Sequence, residues 1–218
     1  MKQNIFQKLL GLAFILGPLL TFGAAIIWLS GIGVNPGIMA WGSYIEGLIG
    51  YFGFILLVPV FLALAYYLAD YMPRFAAFVA IIALIGFAGG GVMNMALRVT
   101  IHEFVNAGVT ENILDQIVKN WEEGNSIGMI LILTGPLGPI SSLLLGIGFL
   151  IKRIIRIPAL LLLVAGLLFM SGQLLQISPS ITYPLATALW AIALIPLGIK
   201  LISGQNPESW MQEKVVNI

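Results

Sequence analysis

Long runs of apolar residues make up most of the chain, and short polar segments separate them. A helix that crosses the hydrocarbon core of a bilayer needs about 20 predominantly apolar residues. Such stretches cover residues 9–29, 47–69, 75–97, 127–151, 157–177 and 181–202. The pattern predicts an all-α polytopic membrane bundle of six transmembrane helices, which form a single integral membrane domain over residues 1–218.

The connections between the runs determine which helices are neighbours. Residues 70–74 separate the second run from the third, and residues 178–180 separate the fifth from the sixth. Loops this short force antiparallel neighbours. The first run follows Lys2 and Lys8 as a signal sequence would, but it is about one full span long, whereas the apolar part of a signal has roughly 7–15 residues. We therefore interpret it as a retained first helix.

The composition agrees with a location in the bilayer, which is then the main partner of the chain. Of the 218 residues, 60% are hydrophobic and 9% are charged, whereas about 25% are charged in a soluble domain. The net charge is +1 and the 10 basic residues are scattered, which excludes a nucleic-acid footprint. The absence of cysteine excludes disulfides and thiolate metal sites.

Basic residues predict the orientation, because lysine and arginine of short loops stay in the cytoplasm. With the N-terminus inside, eight of the 10 basic residues fall on the cytoplasmic side. These eight are Lys2, Lys8, Arg74, Lys152, Arg153, Arg156, Lys200 and Lys214, and the other two are Arg98 and Lys119. We therefore expect both termini in the cytoplasm, as in a multi-pass protein of a bacterial inner membrane or a plasma membrane.

Residues 104–126 form a long extracytoplasmic connection on this topology, with Thr110 suited to a helix N-cap. Apolar and charged residues beyond it fall on opposite faces of a helix. The apolar face holds Ile113, Leu114, Ile117, Val118 and Trp121, and the charged face holds Glu111, Asp115, Lys119 and Glu122. We expect a short amphipathic surface helix over about residues 111–123, which serves either as a connector or as a lid.

Small and polar residues recur every four positions at the end of the third span. Gly86, Gly90, Asn94, Arg98 and His102 therefore lie along one helical face, which leads from small residues to an amide, a guanidinium and an imidazole. Polar residues at membrane depth usually face the bundle interior or a water-filled cavity. The stripe predicts an interior polar face.

Further polar residues belong to the same end of the bundle and could converge on one outward-facing pocket. The candidate ligand-binding residues are Asn94, Arg98, His102, Glu103, Tyr44, Glu46, Tyr51, Gln173 and Gln176. The alternative is structural, because an arginine near the boundary can extend to water and amides can join neighbouring helices by hydrogen bonds.

The fourth span contains two prolines close together, and each removes a backbone donor. Pro136 lies about 13 Å into the span at 1.5 Å per residue, near the midplane. We expect Gly135, Pro136, Gly138 and Pro139 either to break the helix, so that freed carbonyls can bind a cation or a polar ligand, or only to kink it.

Catalytic chemistry has little support in the sequence. The single histidine excludes a zinc site built from two or three histidines of one chain. The predicted spans contain no carboxylate for a buried proton relay, and neither a G-x-S-x-G motif nor a P-loop is present. We expect no catalytic residue, no metal site and no cofactor.

One stretch has a broader resemblance. A glycine-rich run begins at Leu143, the basic residues Lys152, Arg153 and Arg156 precede Pro158, and a second run continues to Gly172. This pattern, about a seventh of the chain, resembles small bacterial multi-pass membrane proteins of unknown function. Its motifs are generic, so the resemblance implies a membrane fold and no functional residues.

The leading hypothesis is a membrane protein that binds or passes a small polar or anionic molecule. The alternative is a scaffold or sensor domain that acts through helix association, for example as a homo-oligomer, and the third is a membrane-embedded enzyme. A ligand site requires Asn94, Arg98 and Gln173 to face one void. A contact of Arg98 with Glu46 or Glu103 would make the arginine structural, whereas an open guanidinium would favour an anion.

Overall fold

A computed structural model describes residues 5–33, 43–122, 130 and 133–205. Within these residues the chain is built from helices joined by short turns. The helices are α1 Ile5–Ser30, α2 Tyr44–Ala69, α3 Pro73–Leu84, a π-helix Ile85–Val92, α4 Met93–Asn106, α5 Glu111–Glu122, α6 Leu137–Ile151, α7 Arg156–Leu174 and α8 Pro179–Ile202.

The lengths and compositions of these helices confirm the predicted all-α membrane bundle. Five helices among the described residues are long and apolar enough to cross a bilayer. They are Ile5–Ser30, Tyr44–Ala69, the continuous segment Pro73–Asn106, Arg156–Leu174 and Pro179–Ile202. A sixth apolar helix, Leu137–Ile151, is shorter.

The sixth helix starts later than the fourth predicted span does. A turn at Gly135 and Pro136 precedes α6, and Pro136 occupies its N-cap. Proline fits a helix start because the amide it lacks would have no partner there. Part of the predicted span, residues 127–129, 131 and 132, lies outside the described residues.

The six membrane helices close into a ring. Each packs against the next in chain order, with the α3–α4 segment between α2 and α6, and α8 returns to pack against α1. Glycines allow the closest approaches. A Cβ on Gly11 would lie 2.9 Å from the carbonyl oxygen of Gly198, so α1 and α8 meet at backbone distance.

The apolar residues divide between the inside and the outside of the ring. The interior holds a core of large side chains, including Phe14, Phe61, Phe149 and Trp190, all fully buried. Many other large apolar side chains remain exposed on the outer faces of the helices, for example Leu160 and Ile192. Such a surface suits contact with lipid, since a continuous apolar surface of this extent is rare on a soluble protein.

The surface helix α5 folds back on the end of α4. Leu114 is only 4% exposed and clusters with Ile101, and Val105 and Val109 pack against them. Its apolar face is not uniformly buried, because Ile113 is 48% exposed. The side chains of Glu111, Val118, Trp121 and Glu122, which also enter the amphipathic prediction, lie outside the described residues.

Candidate ligand-binding cavity

The ring has two ends, named here for one residue each. The Glu46 end is where α2, α8 and the loop Leu175–Ser178 begin or turn, and the Lys152 end is where α6 stops and α7 starts. The polar residues singled out in the sequence belong to the Glu46 end. The basic loop around Lys152 lies at the opposite end.

Glu46 is fixed by the first turn of its own helix. Ser43 caps α2, and its hydroxyl accepts hydrogen bonds from the backbone amides of Ile45 and Glu46 at 3.1 and 3.3 Å. The Glu46 carboxylate accepts in return from the amide of Ser43 at 3.4 Å, which completes a capping box. The sequence interpretation started this span at residue 47 and found no carboxylate in it, but α2 starts at Tyr44 and includes Glu46, which is fully buried.

Arg98 of α4 reaches across to this carboxylate. Its Nη1 donates to Glu46 Oε2 at 2.5 Å, and its Nε donates to Asn94 Oδ1 at 3.2 Å. The approach depends on Gly47, where a Cβ would lie 2.9 Å from the Cβ of Arg98. Arg98 thus has a carboxylate partner within the chain, which joins α4 to α2 and balances its charge.

A cavity of about 250 Å³ lies inside the ring at the same end. Its walls come from every membrane helix. The lining residues are Trp28, Phe54, Gly86, Phe87, Gly90, Gly91, Asn94, Met95, Arg98, Gly135, Gly138, Pro139, Phe169, Gly172, Gln173, Pro179, Thr182 and Tyr183. Asn94, Arg98 and Gln173, whose convergence distinguishes a ligand site from a scaffold, therefore line one void.

The π-helix supplies one side of this cavity. Its wider turns contain three consecutive glycines, Gly89 to Gly91. Gly86 abuts the backbone of Leu137 and Gly138, and a Cβ on Gly90 would lie 2.7 Å from the Cα of Gly135. A π-segment within a helix often marks a functional site. Here the π-helix packs against the turn that precedes α6, and both elements line the cavity.

Three residues of the proline-rich turn line the cavity, and the fourth does not. Gly135, Gly138 and Pro139 belong to the walls, whereas Pro136 is not among them. The carbonyl of Pro136 accepts the Ile140 amide at 3.0 Å, and the Gly138 carbonyl accepts the Ser141 hydroxyl at 2.6 Å. These carbonyls are therefore already engaged rather than left open for a cation.

The remaining candidate residues lie outside the lining. The rings of Tyr44 and His102 stack at 4.4 Å, and the ring of Tyr51 packs edge-on against Phe52. Glu103 is exposed. Gln176 is exposed as well, and its amide donates to the backbone carbonyl of Gln173 at 2.8 Å. The single pocket predicted for all nine residues thus reduces to Asn94, Arg98 and Gln173, with Glu46 behind Arg98.

Five aromatic side chains form part of the apolar wall, and none of them was predicted from the sequence. They are Trp28, Phe54, Phe87, Phe169 and Tyr183. Tyr183 packs edge-on against Trp28 and Phe169, with ring centroids 5.7 and 5.3 Å apart. In spans where every face is apolar, the spacing of the residues does not show which aromatic rings face the interior of the bundle. The run of three glycines was the available signal, because it marks a face without side chains.

A second layer of contacts fixes this wall. Phe169 stacks on the fully buried Trp190 at 5.3 Å. The indole Nε1 of Trp190 donates to Ser142 Oγ at 2.9 Å, and that hydroxyl donates to the Leu162 carbonyl at 2.8 Å. Because the Trp190 indole and the Ser142 hydroxyl both have acceptors, the Trp190 ring is held in one orientation behind Phe169.

Two buried polar atoms near the cavity have no hydrogen-bond partner among the described residues. They are Glu46 Oε1 and the hydroxyl of Tyr183. A buried polar atom without a partner costs about 1–3 kcal/mol, so each of these atoms lowers the stability of the bundle locally. Tyr183 is a lining residue, but its hydroxyl oxygen is itself inaccessible to solvent.

No group of three or more His, Cys, Asp or Glu side chains within the described ranges could hold a metal ion. Comparisons of the chain with models of protein families, with curated proteins and with solved structures gave no match.

Proposed function

We propose that this chain is a membrane protein that binds a small molecule in the cavity at its Glu46 end. The observation that carries the proposal is that Asn94, Arg98 and Gln173 line one void with aromatic walls. Ligand sites are usually concave and mostly apolar, with a few polar groups that fix orientation. This cavity has that character, and it lies where two separate helices, α4 and α7, bring these polar side chains together.

The orientation supports binding from outside the cell. We place the Lys152 end and both termini in the cytoplasm, because Arg74, Lys152, Arg153 and Arg156 are exposed there and basic residues are retained on that side. The cavity then opens toward the extracytoplasmic side of a plasma membrane, such as a bacterial inner membrane. Small solutes could reach it without crossing the bilayer.

The packing below the cavity favours binding over free passage. Phe87, Phe61 and Trp190 form a buried cluster, with Phe61 and Phe87 centroids 4.3 Å apart and Phe87 and Trp190 centroids 5.7 Å apart. Along α2, Phe61 lies nearer the Lys152 end than the lining residue Phe54 does. A molecule that passed through would have to displace these rings, so we propose binding as the function of this state.

The glycine contacts argue against the scaffold alternative. Glycine stripes can join two chains, but Gly86 and Gly90 are already packed against Gly138 and Gly135 of the same chain. A structural scaffold also gains nothing from an unfilled void, since interiors are normally close-packed. The glycines that suggested association between chains therefore form helix contacts within one chain.

Cysteine accessibility tests the proposal, because the chain has no native cysteine. Asn94→Cys and Gln173→Cys should react with a membrane-impermeant cationic methanethiosulfonate added to intact cells. Leu185→Cys, which replaces a 50% exposed side chain outside the cavity lining, should stay unlabelled. Asn112→Cys, on the exposed surface helix, is the positive control. Labelling of Asn112→Cys without labelling at positions 94 and 173 would show that no open cavity exists.

A further inference from the structure

The charge on the cavity wall is balanced, and this limits what the cavity can hold. Arg98 is the only charged residue among the described lining residues, and Glu46 neutralises it through a direct ion pair. An anionic ligand would compete with that carboxylate, and a cationic ligand would face the guanidinium. Both penalties grow in a medium of low dielectric constant. An uncharged ligand avoids both.

The free polar groups that α4 contributes to the wall are hydrogen-bond donors. Arg98 uses Nη1 and Nε, and no described residue accepts from its Nη2. Asn94 accepts from Arg98 through Oδ1, so its Nδ2 group remains as a donor. These groups match a ligand that accepts hydrogen bonds.

The shape and size of the void point to a small ring. Aromatic side chains surround it, and they pack well against another flat apolar group. Backbone without side chains, at Gly90 and Gly138 among others, forms the remaining wall. A cavity of 150 Å³ is known to hold benzene. By proportion, the observed volume of about 250 Å³ holds about ten non-hydrogen atoms.

We infer that the cavity takes an uncharged, ring-containing molecule that bears a carbonyl or similar acceptor group. The ring lies among Phe54, Phe87 and Phe169, and the acceptor faces Arg98 and Asn94. This inference rests on the proposed function, since it names the ligand class of the same cavity. It replaces the anion that the arginine suggested in the sequence, because the pairing with Glu46 removes the net charge.

A set of matched probes separates the ligand classes. 3-Phenylpropanamide carries the ring and an uncharged carbonyl, 3-phenylpropanoate is an anion at neutral pH, 3-phenylpropylamine is a cation, and propylbenzene lacks the acceptor. Binding to the purified full-length protein is measured by titration calorimetry in detergent micelles, with empty micelles as the blank. We expect the amide to bind at least about tenfold more tightly than each of the other three.

Two variants tie the preference to the cavity and to its charge balance. Gln173→Trp replaces an exposed lining side chain with a bulky one and should abolish binding of the amide. Glu46→Gln leaves the charge of Arg98 unbalanced and should shift the preference toward the carboxylate by about tenfold. Should this variant not fold, Glu46→Gln combined with Arg98→Gln restores neutrality but removes the guanidinium donor, so it should bind the amide at least about tenfold more weakly than the unmodified protein and gain no preference for the carboxylate.

The outcomes distinguish the ligand class from the proposed function. Tighter binding of the carboxylate or the ammonium to the unmodified protein would overturn the uncharged class and leave the binding function in place. Equal binding of all four probes, propylbenzene included, would also overturn it, since the acceptor would then contribute nothing. If no probe binds although positions 94 and 173 are accessible to the thiol reagent, the uncharged ligand class is overturned as well. If those positions are inaccessible, the proposed function itself fails.

Discussion

Arg98 Nη1 donates to Glu46 Oε2 at 2.5 Å and joins α4 to α2, although the residues are 52 positions apart in the chain. The carboxylate is fully buried, whereas the arginine side chain is 21% exposed. The two partners therefore depend on each other unequally. Glu46 needs the guanidinium, because the described structure gives it no other cation, while Arg98 retains some contact with the cavity.

We predict that Arg98→Ala lowers the free energy of unfolding by about 1–3 kcal/mol. Removing one partner of a buried ion pair costs about 3–5 kcal/mol, and the partial exposure of Arg98 reduces this figure. Denaturation in detergent micelles measures the change. Lys119→Ala removes an exposed basic side chain of α5 and serves as the control, with an expected change near zero.

A double variant checks that the loss comes from the pair. Glu46→Ala and Arg98→Ala together should cost less than the sum of the two single changes, since the second substitution no longer strands a charge. Strict additivity, or an Arg98→Ala protein as stable as the Lys119→Ala protein, would contradict a structural role for the pair.

We predict that Ser142→Ala is more damaging than Ser141→Ala, although both serines are fully buried in α6. Ser142 accepts from the indole of Trp190, so its loss leaves a buried donor without a partner, at a cost of about 1–3 kcal/mol. The Ser141 hydroxyl only donates to the Gly138 carbonyl of its own helix start. Parallel unfolding measurements on the two variants give the comparison. Equal stability would mean that the indole hydrogen bond contributes little to the wall of the cavity.

The general architecture could be predicted from the sequence because it depends on total apolarity. Runs of about 20 apolar residues require membrane helices whatever their order. The polar face was predictable for a similar reason. Asn94 lies in the third apolar stretch and Arg98 directly follows that stretch at helical spacing, and such residues rarely face lipid.

The partners of these residues were less predictable, because they depend on the start and rotation of other helices. Glu46 became a membrane-helix residue only because Ser43 starts α2 slightly earlier than the hydropathy pattern does. His102 follows the same four-residue spacing but stacks on Tyr44, since the π-helix and the length of α4 carry it past the cavity. The aromatic wall gave no signal, because every face of these spans is apolar.

The orientation remains a prediction with a direct test. Single cysteines at Asn112 and Ser209 should differ in their reaction with an impermeant thiol reagent on intact cells, because we place position 112 outside and the C-terminal tail inside. Asn112→Cys should label before lysis, and Ser209→Cys only after the membrane is permeabilised. The reverse pattern would invert the topology and place the cavity opening in the cytoplasm.

Two adjacent glycines of the π-helix provide a test of the contact that shapes the cavity. A Cβ on Gly90 would lie 2.7 Å from the Cα of Gly135, whereas a Cβ on Gly89 would find its nearest neighbour, Thr134, at an ordinary 3.6 Å. Both positions are glycines of the same π-helix, so they differ mainly in the residues that they face.

We therefore predict that Gly90→Ala lowers the free energy of unfolding by about 1–3 kcal/mol, because an added methyl group forces the two backbones apart. Gly89→Ala should be neutral or slightly stabilising, since alanine loses less backbone entropy than glycine in a helix. Chemical denaturation of both variants gives the difference, and reaction of Gln173→Cys in each background reports on the cavity. Gly90→Ala should also change that reaction rate, because Gly90 and Gln173 line the same void. A Gly90→Ala protein as stable as the Gly89→Ala protein would show that the π-helix and the turn before α6 are not in tight contact.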